Sequence, residues 1–180
     1  MKGIIFNLLE EFITENHGEE TYDEIIGNCT LQTKEPFVGP GTYPDEDLLE
    51  IVGKTTEKLG ISADVALKAF GKFAFHKLAA IFPNFLESYS NPKDFLKSVE
   101  SVIHVEVKKM YKDAYTPTFI YTDLAPDKLI IQYHSKRKLY ALMEGLIDGV
   151  GEHFNTTIGQ SVKIHEVDGR EVGDFDLTFS

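Results

Sequence analysis

LIIQYHSKRKLY, residues 129–140, begins as an apolar strand and ends as a run of hydrogen-bond donors. Side chains along a strand alternate faces with a period of two, so Leu129, Ile131, Tyr133, Ser135 and Arg137 share one side while the segment stays extended. The apolar part of that side is expected to pack on a core, and its end presents a phenol, a hydroxyl and a guanidinium together. Such a trio suits an oxygen-rich anion, because a guanidinium offers a planar fork and hydroxyls rotate to fit. A carboxylate or a phosphate is the expected guest.

Working outward, TFIYTDL (118–124) reads as a second strand joined to KLIIQYH (128–134) through APD. QSVKIHEV and EVGDFDLTF around DGR make a terminal hairpin. Between them KLYALMEGLIDGVGEHF reads as a helix, where Gly145 and Gly149 at i and i+4 invite close packing. The first half is helical. Ile5, Leu8, Leu9, Phe12 and Ile13 recur at helical spacing, and Thr21–Ile26 continue after a turn. QTKEPFVGPGTYPD is a loop, and Asp45, Glu46 and Asp47 then favour the first turn of a helix that Gly60 closes. Ser62 caps the next helix, and NPKDFLKSVESVIHVEVKKMYKDA reads as one long helix with Pro92 in its first turn. The fold class is therefore α+β within one domain, 1–180. A helical lobe of about residues 1–60 joins a lobe of about 61–180 that combines an antiparallel sheet with helices.

A formal net charge of −11 disfavours nucleic acid and anionic membranes as partners, and the short Lys136–Arg137–Lys138 run does not overturn that. One cysteine, Cys29, excludes an internal disulfide framework and fits a reducing compartment. Glu10 and Glu11 interrupt the apolar start, so it reads as an amphipathic helix rather than a signal peptide. No segment is long and apolar enough to span a bilayer, and a cytoplasmic location is expected.

Six histidines offer ligands or bases. His17 reads as solvated, His153 as a helix-end charge and His165 as a strand residue. His134 is expected to point away from the Tyr133 side, and His76, after Phe73 and Phe75, to pack in a core. At roughly 100° per residue, Phe95, Val99, Val102, Ile103 and Met110 form one apolar face, with His104 nearly opposite beside Val107 and Tyr111. By pattern alone His104 is a partly exposed structural residue. No zinc-protease, serine-hydrolase, phosphate-loop or dinucleotide fingerprint is present.

Tyr133-x-Ser135-x-Arg137, set downstream of a helical His104, resembles the haem nitric oxide/oxygen binding family, H-NOX. These are bacterial relatives of the haem domain of soluble guanylate cyclase. The resemblance covers essentially the whole chain, through MKGIIF, AFGKFAFHKL, His104 with VEVKKMYKDAYTP, YHSKRKLY and GLIDG. It implies haem b held between the two lobes, with His104 as the sole protein ligand to iron. It also implies Tyr133, Ser135 and Arg137 as holders of the two propionates, and Pro117 as the proline that presses the haem out of plane.

Oxygen-binding members carry a distal tyrosine with polar support. Here those positions align with Leu142, Leu9 and Ala74, and with Ile5 they imply an apolar distal pocket. A hydrogen bond to a charged group contributes about 1.5–3 kcal/mol, so a pocket without a donor favours NO and CO over O2. Tyr140 and His76 are the remaining candidate donors, and Tyr140 lies on a different helix face from Leu142. No cysteine stands near the C-terminus, so the zinc site of some relatives is not expected. The resemblance implies a sensor, not an enzyme, that releases His104 when NO binds and signals in trans to a histidine kinase or cyclic-dinucleotide enzyme. Two other classes compete: a haem enzyme with peroxidase or NO-dioxygenase activity, and a haem-free interaction module docking through its acidic helices.

Overall fold

The computed structural model describes residues 1–180, which form seven α-helices and a four-stranded antiparallel sheet, an α+β architecture. Four helices come first: α1 (Gly3–His17), α2 (Glu19–Gly27), α3 (Asp45–Leu59) and α4 (Ala63–Ile81). α3 stops where Gly60 turns left-handed at φ 66°, a conformation that costs a residue without Cβ little. Ser62 caps α4 by accepting the amide of Val65. The acidic first turn of α3 does more than complement a helix dipole. Asp47 is buried and accepts the amides of Gln32 and Thr33 at 2.8 and 3.1 Å, which ties down the preceding loop.

The segment expected to be one long helix is two helices around a wider turn: α5 (Pro92–Ser98), a π-turn over Val99–Ile103, and α6 (His104–Met110). A tyrosine from the sheet explains the break. The Tyr121 hydroxyl donates to Leu96 O at 2.8 Å and accepts the amide of Glu100 at 3.4 Å. It thus occupies the place of the ordinary i→i−4 bond between those two residues, a recognised cause of helix distortion. The His104 amide then reaches Val99 O, five residues back. The widened turn brings Val99, Ile103, His104 and Val107 to one side and leaves Val102 exposed, unlike the regular 100° pattern. His104, expected to be partly exposed, is buried.

The sheet runs in the order β1 (Thr118–Ala125), β2 (Lys128–His134), β4 (Arg170–Phe179), β3 (Ile158–Val167), with α7 (Tyr140–His153) between β2 and β3 in sequence. Along β2 the alternation holds: Leu129, Ile131 and Tyr133 are buried and their neighbours less so. The strand ends at His134, so Ser135 and Arg137 do not extend the ladder. They lie in a turn, where the Arg137 amide donates to Ser135 Oγ at 3.2 Å and Lys138 has a positive φ of 50°.

Two apolar cores result. Phe6, Ile13, Ile25, Leu48 and Ile51 pack with Phe70 and Ala74 of α4. Leu129, Ile131, Phe175 and Leu177 of the sheet pack with Phe95, Ile147 and Phe75 of α4. Each fully buried aliphatic chain contributes roughly 1.5–3 kcal/mol. α4 therefore serves both cores, and the division between them runs along its length rather than at residue 60. Its joint with α7 is close: a Cβ on Gly145 would lie 2.0 Å from Lys68 O, and one on Gly71 2.3 Å from Leu142 O.

Candidate functional site

A cavity of about 390 Å³ opens between these elements, and 27 of its 35 lining residues are hydrophobic. It falls within the roughly 300–1,000 Å³ range of small-molecule sites. From the sequence-derived set it gathers His104, Pro117, Tyr133, Ser135, Arg137, Ile5 and Leu142. Leu9 and Ala74 are not on its surface. They are buried one layer behind, in the helical core, because that face of α1 and α4 packs helix against helix.

α1, α4 and α7 supply hydrocarbon: Ile4, Ile5, Phe75, Leu78, Leu142 and Leu146. The two candidate polar substitutes turn elsewhere. The Tyr140 hydroxyl meets Glu171 Oε1 at 3.1 Å, and burial first, then this carboxylate, pushes its pKa up to about 12. His76 is not in a core but largely exposed, its Nε2 2.9 Å from Glu152 Oε2.

The segment from the π-turn to β1 supplies the chemistry. His104 packs against the Phe119 ring with 5.1 Å between centroids, and its Nδ1 lies 2.9 Å from Glu100 Oε2. An ionised carboxylate only accepts, so Nδ1 carries the proton, and the neutral ring keeps its lone pair on Nε2. Burial lowers the pKa of His104 against the pull of Glu100, which favours that neutral ring. Nε2 makes no hydrogen bond within the protein. No three His, Cys, Asp or Glu side chains converge on a bare metal ion, so a metal at this imidazole needs ligands from another source.

At the polar end, Arg137 is heavily engaged. Its Nε and Nη2 donate to Asp45 at 2.7 and 2.9 Å, its Nη1 donates to Tyr115 O at 2.8 Å, and the guanidinium stacks on the Tyr115 ring. Three of its five N–H donors are used, and two remain for a guest. Burial works to raise the pKa of Asp45, but Arg137 and the Met1 ammonium outweigh it and hold the carboxyl below its ordinary value. Nearby, Lys2 donates to Thr42 and Asp113 at 2.6 Å each. Thr116 Oγ1 is buried on the lining without a hydrogen-bond partner. An apolar slot with one imidazole lone pair, a rim of hydroxyls and guanidinium, and an orphaned hydroxyl fits an iron porphyrin with its carboxylates.

Two members of this site lay outside the sequence reading. Glu100 carried a usable signal, a carboxylate at i−4 from His104 on a helix. Asp45, 92 residues from Arg137, carried none beyond its place in a first turn.

Comparison with known proteins agrees. The Haem-NO-binding family matches residues 2–162. The chain is similar to soluble guanylate cyclase 89Db of Drosophila melanogaster, at 24% identity over 76% of this chain and 20% of that protein. It is also similar to soluble guanylate cyclase gcy-32 of Caenorhabditis elegans, at 21% identity over 84% of this chain and 23% of that one. The chain thus spans about a fifth of the length of these relatives. Among solved structures, the Fe(II) unliganded H-NOX protein from K. algicida superposes with a TM-score of 0.92 at 30% identity, over 100% of this chain and 97% of that one. The S. oneidensis H-NOX protein in the Fe(II)NO ligation state gives 0.92 at 26% identity, over 100% and 99%. With 161 of its 180 residues matched, and with this cavity, the chain belongs to the Haem-NO-binding, or H-NOX, family of haem-binding gas-sensor domains.

Proposed function

We propose that the chain binds NO and CO, excludes O2, and signals in trans to a separate protein through release of His104. Haem b, when bound, supplies a ferrous iron able to take a diatomic gas. His104 would hold that iron through Nε2. Tyr133, Ser135 and the two spare N–H groups of Arg137 would hold the propionates, with Pro117 against the ring. Ile5 and Leu142 line the distal side, with Leu9 and Ala74 packed behind them, and none of the four donates a hydrogen bond. O2 takes on negative charge when bound and depends on such a donor far more than NO or CO does, which is the basis of the exclusion.

The observation that carries the proposal is the pairing of one buried imidazole, Nδ1 already committed, with a cavity surface of hydrocarbon from three helices. The S. oneidensis relative in its Fe(II)NO state supports NO as a ligand. Once released, His104 lets α6 move, and the bonds that tie its surroundings to the helical lobe, Lys2–Asp113 and Arg137–Asp45, feel the shift. A ligand moves such an equilibrium only by its differential affinity for the two arrangements. The partner is a histidine kinase or a cyclic-dinucleotide enzyme, met in the cytoplasm, with a basic surface to match the acidic one here.

The test is spectroscopic. The purified, reduced chain is exposed in turn to argon, air, CO and NO. A Soret shift with CO and NO, and no stable shift in air, is expected. A chain that stays colourless after haem reconstitution, or a stable CO-displaceable shift in air, overturns the proposal.

A further inference from the structure

We infer that Glu100 is a positioning residue for His104, one that strengthens the imidazole as an iron donor and so raises the threshold at which His104 is released. The inference rests on the reading of His104 as the iron ligand and goes beyond it. Glu100 stands in the π-turn, on the last turn before His104, and its Oε2 lies 2.9 Å from His104 Nδ1. The same oxygen accepts the Phe119 amide of β1 at 3.2 Å. Two N–H donors on one oxygen hold the carboxylate in one orientation, so it does not swing to solvent as an exposed helix glutamate does. The Tyr121 hydroxyl holds Glu100 from the backbone side by accepting its amide. Two groups of β1 therefore aim one carboxylate at one ring nitrogen.

The electronic consequence follows from the charge. A hydrogen bond from Nδ1 to an ionised acceptor pushes electron density toward Nε2, makes that nitrogen a better ligand, and fixes the ring's orientation. A neutral acceptor does the same more weakly, because charge-assisted bonds are about twice as strong. An ordinary i, i+4 helix pair contributes only a few tenths of a kcal/mol and alters no metal bond. The shared Oε2 also joins His104 to β1 through the Phe119 amide.

The experiment uses the haem-loaded full chain as wild type, Glu100→Gln and Glu100→Ala. Resonance Raman spectra of the reduced protein report the iron–histidine stretch, and the Soret band after NO addition reports the share of molecules in which His104 has left the iron. The stretch is expected to fall in the order wild type, Gln, Ala, and the released-to-bound ratio to rise about 10-fold or more in Ala. Gln keeps the shape and an acceptor for Phe119, so it decides alone if Ala fails to fold. A wild-type stretch that neither variant moves overturns the inference while leaving His104 as ligand. A wild type with no iron–histidine stretch at all overturns the site reading itself, and the inference with it.

Discussion

The cavity's two linings are built on contrary rules. α1, α4 and α7 offer only apolar side chains, and the polar side chains near them, Tyr140 and His76, are drawn to Glu171 and Glu152 at the surface. The stretch from Val99 to Phe119, with the turn after β2, offers polar groups, most of them with an assigned partner: His104 with Glu100, Arg137 with Asp45, Asp113 with Lys2, while the Thr116 hydroxyl is left unpaired. One lining acts by what it withholds and the other by what it holds in place. In the proposed function, discrimination among gases falls to the first, and ligation and signal to the second.

The largest effect is expected from taking the imidazole out of the polar lining. His104→Gly is expected to remove the proposed protein ligand to iron, so that haem is retained poorly until free imidazole is added. With imidazole the absorption spectrum recovers, and NO no longer moves α6. A glycine variant that keeps the wild-type spectrum unaided would break the contrast outright.

The second prediction puts a donor into the carbon lining. Leu142→Tyr is expected to strengthen O2 binding by about 1.5–3 kcal/mol, tenfold or more in affinity, read by gas titration of the reduced protein. No gain at all would remove Leu142 from the distal side.

Third, the carbon lining depends on the tight α4–α7 joint. In Gly145→Ala the new methyl would lie 2.0 Å from Lys68 O, so the helices must part. The cost is about 1–3 kcal/mol, or roughly 2–4 °C in melting temperature per kcal/mol at this chain length. A melt unchanged from wild type would show that the joint gives easily.

The smallest effect is expected from acid acting on the polar lining. Asp113, beside Lys2 and Thr42, has its pKa held down to about 2, and Asp45 is also below its ordinary value. Depressed carboxyls bind fewer protons folded than unfolded, so their contribution is complete above about pH 4 and is lost as pH falls toward 2. Asp113 is exposed, so salt screens much of this. Melts at pH 5 and pH 3, in low and high salt, are expected to show a modest acid loss that salt reduces.

The legible parts of this protein were those with local causes. Alternation along Leu129, Ile131 and Tyr133, breakers around Pro36–Pro44, the Ser62 cap and the Gly145/Gly149 pair all act over a few residues, and each is where its pattern placed it. The illegible parts had remote causes. A hydroxyl 25 residues away opened the helix at Leu96 and changed which residues share a face with His104. Asp45 took up Arg137 from 92 residues off, and the second core claimed Phe75 while the first kept Ala74, the residue next to it.

By itself, then, the order of residues determined most of the secondary elements, the α+β class and the family, since propensity, periodicity and motif spacing are properties of short stretches. Tertiary structure alone decided that the Phe119 amide shares the Glu100 carboxylate with His104, that Asp45 meets Arg137, and that Leu9 and Ala74 stand behind the wall rather than on it. Those outcomes depend on how distant surfaces compete for the same buried space and the same hydrogen-bond donors, and no local pattern records the result of that competition.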